Sequence, residues 1–233
     1  MSKSVVYAIV PARSGSKGLP DKNIRKVLGK ELIGHSIEFA KSLRSINKVL
    51  VSTDSEKYAN IGRSWGAEVP FLRSAWAAAD TSMEEDILRD FRSQCSDTGL
   101  VEPDIIVWLR PTFLFRNIDH VQQCIDILLN NPDVSAARTV VPAESRLYRL
   151  VANRLEATFD DDGRDMIRRQ DVEQAYRVWS TDVFRFRGVE IGRRFLGENV
   201  RAVVTDKKCG FDIDDHDDLI IAEHMMRRLQ EVS

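Results

Sequence analysis

A loop of small and cationic residues, residues 11–23, has the composition expected of an anion-binding site. Gly15 and Gly18 permit positive φ angles and let backbone N–H groups approach an anion closely. Three cations lie in the same stretch: Arg13, Lys17 and Lys22. The loop fits neither the dinucleotide pattern G-x-G-x-x-G nor the Walker A pattern G-x-x-x-x-G-K-[ST]. It therefore predicts a phosphate loop of another kind, and the alternative is an ordinary strand-to-helix connection with lysines at the surface.

A second candidate site lies near the other end of the chain, at Asp212-Ile213-Asp214. In an extended segment residues two apart point to the same side, so the two carboxylates project together. They repel each other unless a cation lies between them, and Mg²⁺ accepts such oxygen ligands, with substrate phosphates completing its shell. The alternative is that these residues only place negative charge at the N-terminus of the last helix. The alternation favours a metal site at Asp212 and Asp214, and we expect it to share a cleft with the cationic loop.

The pattern of apolar residues along the chain predicts alternating strands and helices, and these elements must position the candidate residues. Segments with the apolar spacing of helices separate four short apolar runs, and Asn117 is predicted to cap one of the helices. The four runs predict buried strands: Ser4 to Val10, Lys48 to Thr53, Asp104 to Leu109 and Val134 to Val141. The alternation predicts an α/β protein with a Rossmann-like, mostly parallel sheet flanked by helices.

Residues 142–186 interrupt this alternation. The segment begins as a charged stretch with little periodic apolar pattern, and it ends in a run with aromatic residues, from Arg177 to Phe186, that predicts a strand. We expect it to form a lid or a dimerisation arm inserted into a single domain of residues 1–233. Within the segment, residues 160–163 (DDDG) predict a hairpin turn. A strand at Val200 to Thr205 and a last helix follow.

Two further groups of acidic residues have structural interpretations. Asp54 follows the second strand, where it could meet a ribose or a metal, but we expect it to cap the helix from Ser55 to Trp65. Residues 84–86 (EED) lie in the first turn of another helix, where negative charge complements the helix dipole. Neither group is predicted to take part in chemistry.

Composition excludes several classes of protein. The chain has 233 residues, with 34 Lys and Arg against 36 Asp and Glu, so no overall positive field favours nucleic acid. No stretch reaches the ~20 apolar residues of a membrane span, and no signal-peptide pattern is present, so we expect a cytoplasmic protein without membrane contact. The three cysteines are far apart and form no C-x-x-C pair, which argues against a disulfide framework or a zinc ribbon.

Seven segments of the chain match one family in order. The most specific are PARSGSKGLPDKN at 11–23 and FDIDDHDDL at 211–219; between them lie GKELIGHSIEFA at 29–40, VSTD at 51–54, the loop 73–81, RPTFLFR at 110–116 and RRQ at 168–170. Together they resemble the acylneuraminate cytidylyltransferases, the CMP-sialic acid synthetases, and their sugar-acid relatives. The resemblance implies a nucleotidyltransferase in which the anomeric hydroxyl of a 2-keto sugar acid attacks the α-phosphorus of CTP and pyrophosphate leaves.

The resemblance also implies roles for individual residues. The implied nucleotide-binding residues are Arg13, Ser16, Lys17, Asn23, Arg73 and Thr81, and the implied acceptor-binding residues are Arg110, Arg169 and Gln170. Asp212 and Asp214 would bind Mg²⁺, and Arg13, Lys17 and Asp212 would act in catalysis. The inserted segment would make the contact of a homodimer.

Two departures from the family pattern concern the acceptor. Sialic acid enzymes typically read LQPTSPLR where residues 109–116 read LRPTFLFR, so Arg110 replaces a glutamine, and an Asn-Gly pair is replaced by Trp179-Ser180. We therefore expect an acceptor related to sialic acid, such as legionaminic acid, pseudaminic acid or an amino-modified octulosonate. Two alternatives remain: a nucleotidyltransferase that uses another nucleoside triphosphate with a sugar 1-phosphate, and a catalytically silent nucleotide-binding homologue.

Overall fold

The computed structural model describes residues 4–16, 18–161, 163–164, 166–178 and 180–232, so Lys17 and Trp179 lie outside the described residues. The strands in these ranges, numbered in chain order, are β1 (Val6–Pro11), β2 (Lys26–Val27), β3 (Lys30–Glu31), β4 (Lys48–Ser52), β5 (Ile105–Trp108), β6 (Ala136–Pro142), β7 (Tyr148–Val151), β8 (Arg154–Ala157), β9 (Tyr176–Arg177), β10 (Asp182–Arg185) and β11 (Val200–Val204). The α-helices are α1 (Leu32–Ser42), α2 (Glu56–Ser64), α3 (Glu84–Thr98), α4 (Ile118–Asn130) and α5 (His216–Val232).

A central sheet has the strand order β11-β6-β10-β5-β1-β4, and β9 pairs with β6 beside this path. β1 runs parallel to β4 and β5, and β11 runs parallel to β6, whereas β10 is antiparallel to both of its neighbours. The predicted α/β fold with a mostly parallel sheet is confirmed. The segment 142–186 leaves the sheet after β6, forms the hairpin β7–β8 and returns, so its last strand, β10, belongs to the middle of the sheet.

Helices cover both faces of the sheet, because the central strands are apolar on both faces. In β1, Val6, Ala8 and Val10 join the apolar cluster to which α1, α2 and α4 contribute. Tyr7 and Ile9 point the other way and join the cluster that α3 completes. The carboxyl ends of the parallel strands are left open, and this is the edge where α/β sheets bind ligands.

A third apolar cluster joins the two candidate sites. It contains Leu19 from the loop after β1, Phe115 from the segment after β5, and Ile213 from residues 212–214, called the acidic segment below. Ala222 of α5 packs in the same cluster. Burial of Ile213 therefore anchors the acidic segment beside the cationic loop, although nearly two hundred residues separate them in the chain.

Local signals explain where the helices begin. Asn117 caps α4 as predicted, since its side-chain oxygen accepts hydrogen bonds from the backbone N–H groups of Asp119 and His120. None of the helices within the described ranges is long and apolar enough to cross a bilayer.

The prediction that residues 160–163 make the hairpin turn of the inserted segment is wrong. The turn between β7 and β8 lies at Ala152 and Asn153, which both adopt positive φ. Two positive φ angles in succession suit the right-handed twist of a two-residue hairpin, and Asn tolerates them better than most residues. Asp162 lies outside the described residues; Asp160, Asp161 and Gly163 follow β8 instead, where the Asp161 carboxylate accepts a hydrogen bond from the Gly163 N–H.

Candidate functional site

The loop after β1 is held in shape by side chains that bind its backbone. The Ser14 N–H and hydroxyl both donate to the Asp54 carboxylate, at 2.7 and 2.6 Å. The Asn23 amide donates to the Arg13 carbonyl at 3.0 Å, and Gly15 takes a φ of +75°. The loop is therefore preorganised before any ligand arrives.

Asp54 does not cap α2, so that prediction is wrong. Ser55 is the capping residue, and its hydroxyl accepts from the Tyr58 N–H. Burial would raise the pKa of the Asp54 carboxyl, but the hydrogen bonds from Ser14 outweigh burial and lower it. Asp54 is thus an ionised support for the loop, a role that sequence reasoning missed because Asp and Ser are equally good helix caps.

The acidic segment lies directly against the cationic loop. The Lys22 ammonium is 3.1 Å from Asp214 Oδ1. A Cβ placed on Gly18 would come within 3.1 Å of the Asp214 carbonyl oxygen, so glycine allows this close approach. The two clusters therefore share one cleft, as the sequence analysis predicted.

A cavity of about 540 Å³ opens between them at the carboxyl ends of the strands. Its lining includes Arg13, Ser16, Asn23, Arg73, Arg110 and Asp214. Thr81 is exposed and is not part of this lining, whereas its neighbour Ser82 is. The structure thus brings together the predicted nucleotide-binding residues that it describes, apart from Thr81.

Arg73 is the most buried cation of the cavity wall, at 6% exposure. Its guanidinium donates to the hydroxyl and the carbonyl oxygen of Ser52, at 3.2 and 2.7 Å. Burial lowers the pKa of Arg73 to about 10, which still leaves it charged at neutral pH. The end of β4 therefore aims a fixed positive charge at the cavity.

Arg110 lies in the cavity wall between two carboxylates. It is 3.0 Å from Glu84 and 3.0 Å from Asp182, and Asp182 also pairs with Arg138 at 2.5 Å. Burial opposes its charged form, but the two carboxylates outweigh burial and raise the pKa of Arg110. From the sequence, Glu84 is expected only to complement the dipole of α3; its ion pair with Arg110, 26 residues away, is not predicted by any local pattern.

Asp212 and Asp214 differ in their surroundings. Asp212 is half-buried, and its Oδ1 has no hydrogen-bond partner among the residues that the structure describes. Burial raises the pKa of Asp212, and the nearby Asp214 adds to this, while a hydrogen bond with Thr112 opposes it. Over the same described ranges, no group of three or more His, Cys, Asp or Glu residues could hold a metal. A cation at this pair would therefore need further oxygens, such as those of a phosphate.

A second cavity, of about 790 Å³, lies on the other side of the acidic segment. Asp214 lines both cavities, and Arg177, Lys207 and Lys208 bring positive charge to the second. The sequence analysis did not single out these three cations, since they belong to no recognisable pattern. Arg169 and Gln170 lie in an exposed 3₁₀ turn and line neither cavity.

Known proteins share both the sequence pattern and the fold. A family model described as cytidylyltransferase matches residues 7–192. CMP-N,N'-diacetyllegionaminic acid synthase of Campylobacter jejuni is 29% identical over 245 residues, covering 95% of this chain and 94% of its own. N-acylneuraminate cytidylyltransferase of Escherichia coli is 28% identical over 224 residues, covering 94% of this chain, which spans about half (52%) of that relative.

Among solved structures, that of CMP:2-keto-3-deoxy-manno-octonic acid synthetase complexed with CTP superposes with a TM-score of 0.71. The superposition covers 97% of this chain and 99% of the other at 17% identity, so this likeness concerns the fold alone. Because the family model spans most of the chain, including the loop after β1 and the segment around Arg110, the chain belongs to the cytidylyltransferase family of nucleotidyltransferases.

Proposed function

We propose that the protein transfers a cytidylyl group from CTP to the anomeric hydroxyl of a 2-keto sugar acid, giving a CMP-sugar and pyrophosphate. The observation that carries this proposal is that two cavities adjoin at Asp214, which lines both. A nucleotide in the first cavity and an acceptor in the second would meet at the acidic segment. The names of relatives, an N-acylneuraminate cytidylyltransferase and a CMP-N,N'-diacetyllegionaminic acid synthase, support the same reaction.

In this proposal the first cavity binds CTP. Arg13 and Ser16, together with Lys17 of the same motif, hold the triphosphate, and Arg73 contacts the base. Phosphoryl transfer needs charge neutralisation and in-line positioning rather than a covalent nucleophile. The loop meets the need for positioning, because hydrogen bonds with Asp54 and Asn23 already fix its backbone. Nucleotide binding therefore costs the loop little conformational entropy.

Asp212 and Asp214 fit Mg²⁺. They offer hard oxygen ligands, one of which is buried and has no partner in the described part of the chain, and they leave the remaining positions for phosphates. Mg²⁺ held there would supply positive charge to offset the charge that develops on the phosphates. The ammonium of Lys22 forms an ion pair with the Asp214 carboxylate and offsets its negative charge.

The second cavity takes the acidic acceptor. Arg177, Lys207 and Lys208 offset the charge of the acceptor carboxylate, and the planar guanidinium of Arg177 suits a carboxylate better than an ammonium does. Arg110, whose charge is balanced by Glu84 and Asp182, offers N–H donors to the ligands but little net charge.

We also propose a homodimer formed through the hairpin β7–β8. The hairpin exposes large apolar side chains, including Leu150 at 70% and Leu155 at 71%, and Met166 nearby is 93% exposed. Apolar patches of this kind mark contact surfaces. Arg169 and Gln170 line neither cavity of their own chain. In a dimer, docking of the hairpin on a second copy would bring them to the sugar acid bound by that copy.

We place the reaction in the cytoplasm. Cys95, Cys124 and Cys209 are all free and buried, as in proteins of reducing compartments, and this supports the placement.

Pyrophosphate release tests the proposal. The protein is incubated with Mg²⁺, each of the four nucleoside triphosphates, and a panel of sialic, legionaminic, pseudaminic and octulosonic acids and sugar 1-phosphates. We expect release with CTP and a 2-keto sugar acid. Release with GTP or UTP and a sugar phosphate would overturn the proposal, and so would CTP binding without turnover on any acceptor.

A further inference from the structure

Asp21, in the loop after β1, has a strained backbone conformation that none of the roles above explains. Its φ is +56°, in the left-handed region that residues other than glycine adopt only rarely. Asp21 precedes a 3₁₀ turn, Lys22–Ile24, but its side chain makes no capping hydrogen bond to that turn. Local capping, the common reason for an aspartate at such a position, therefore does not account for it. Strained residues of this kind are concentrated at functional sites, where the surrounding structure holds them in place.

The Asp21 carboxylate is held from outside the loop, by α2. The Tyr58 hydroxyl donates to Asp21 Oδ1 at 3.0 Å, and the Lys57 ammonium lies 2.9 Å from Asp21 Oδ2. Hydrogen bonds from Lys57 and Tyr58 lower the pKa of Asp21, so the carboxylate is ionised at neutral pH. Burial raises the pKa of Tyr58, and the Asp21 carboxylate adds to this, so the hydroxyl keeps its proton and remains a donor.

The two donors differ in how firmly they can hold the loop. Tyr58 is 1% exposed, and its ring packs in the apolar cluster to which α1, α2 and α4 contribute, so its hydroxyl has a fixed position. The Lys57 side chain is 63% exposed, and ion pairs at the surface contribute little, because solvent screens them and the side chain loses entropy. Tyr58 is therefore the contact that fixes the Asp21 carboxylate.

The two residues after Asp21 line the first cavity. The Lys22 ammonium is 3.1 Å from Asp214, and the Asn23 amide donates to the Arg13 carbonyl oxygen at 3.0 Å. The backbone conformation of Asp21 sets the direction in which the chain enters these residues. A shift at Asp21 would therefore disturb both contacts and, through them, the position of Arg13 in the cavity wall.

We propose that Tyr58 is a positioning residue for nucleotide binding, which fixes the second half of the loop through Asp21. Tyr58 acts only through the loop and does not touch the nucleotide. The inference rests on the proposed function, which places the triphosphate of CTP against this loop. Because Asp54 holds Ser14 in the first half of the loop, α2 and the residues before it would hold both halves.

Steady-state kinetics with CTP varied at saturating acceptor test the inference in Tyr58→Phe, which removes the hydroxyl and keeps the packed ring. We expect the KM for CTP to rise about three- to tenfold, since one hydrogen bond is lost and the carboxylate keeps a second donor. The kcat and the KM for the acceptor should change little. Tyr7→Phe is the matched control, because it removes a buried hydroxyl on the opposite face of the sheet and should leave the KM for CTP unchanged.

A double-mutant cycle connects the effect to Asp21. Asp21→Ala and Asp21→Gly should both raise the KM for CTP at least as much as Tyr58→Phe, although glycine tolerates positive φ. Asp21→Asn keeps an oxygen acceptor and also tolerates positive φ, so its KM should stay within about twofold of the wild type. In a chain that already carries Asp21→Ala, Tyr58→Phe should cause no further rise.

A lower melting temperature of Tyr58→Phe with unchanged kinetic constants would show a purely structural role and overturn the inference while the proposed function stands. Additive effects of Tyr58→Phe and Asp21→Ala would overturn it as well. Should Tyr58→Phe not fold, Asp21→Asn and Asp21→Gly decide, because the Asp21 side chain is 47% exposed, and equal KM values in these two variants refute the inference. A wild type that binds CTP without turnover would remove the proposed function, and CTP affinities from calorimetry would then carry the same comparison of variants.

Discussion

Replacement of Asp54 by alanine should weaken CTP binding without unfolding the protein. The substitution removes the acceptor of two hydrogen bonds from Ser14, at 2.7 and 2.6 Å. A hydrogen bond to a charged group stabilises the folded loop by about 1.5–3 kcal/mol, and we take the lower value because this site is partly exposed. The two bonds together then contribute about 3 kcal/mol. The loop would then be ordered only when nucleotide binds, so most of this loss should appear as weaker binding.

The assay is steady-state kinetics with CTP varied at saturating acceptor. We expect the KM for CTP to rise about tenfold to a hundredfold in Asp54→Ala, with a smaller change in kcat. Ser14→Ala removes one of the two bonds and should give an intermediate rise. Glu56→Ala is the control, because Glu56 lies two residues away and pairs with Arg63 at the surface.

The pH dependence follows from the lowered pKa of Asp54. A carboxyl whose pKa is lowered by folding contributes its full stabilisation above its ordinary pKa of about 4, and loses it as the pH falls through the lower value. Asp54 should therefore cause no change in the KM for CTP from about pH 5 to about pH 8. An unchanged KM in Asp54→Ala at neutral pH would refute the idea that this carboxylate preorganises the loop.

Three further predictions concern other parts of the chain. Asp182→Ala leaves two arginines without their shared carboxylate and should lower the free energy of unfolding by about 3–5 kcal/mol, measured in urea; an unchanged midpoint contradicts this. Lys17→Ala should weaken CTP binding more than CMP binding in titrations, because its charge acts on the phosphates, and equal losses would remove that role. Paired Leu150→Glu and Leu155→Glu substitutions should give a monomer in sedimentation analysis, and a persistent dimer would show that the hairpin is not the contact.

Much of the fold could be predicted because its signals are local. The strand before the cationic loop ends at Pro11, and Asn117 caps the helix that follows it, and both are consequences of neighbouring residues. The position of β10 could not be predicted in this way. Its residues indicate a strand, but its antiparallel place in the middle of the sheet depends on the path of the segment before it.

The parts of the site that sequence reasoning missed depend on distant partners. Asp54 supports Ser14, forty residues away, and Glu84 pairs with Arg110, twenty-six residues away. The cations of the second cavity follow no motif, and their shared position arises only when β9 and the turn before the acidic segment come together. Pairing across such distances is decided by packing, which periodicity along the chain does not record.

The most direct test of the central proposal is Mg²⁺-dependent pyrophosphate release by Asp214→Asn compared with Asp217→Asn. Asp214 lines both cavities, whereas Asp217 is an exposed acid three residues further along the chain. We predict that Asp214→Asn lowers kcat by at least about a hundredfold while its melting temperature is unchanged, and that Asp217→Asn turns over normally. Normal turnover by Asp214→Asn would contradict the proposal that the reaction takes place where the cationic loop meets the acidic segment.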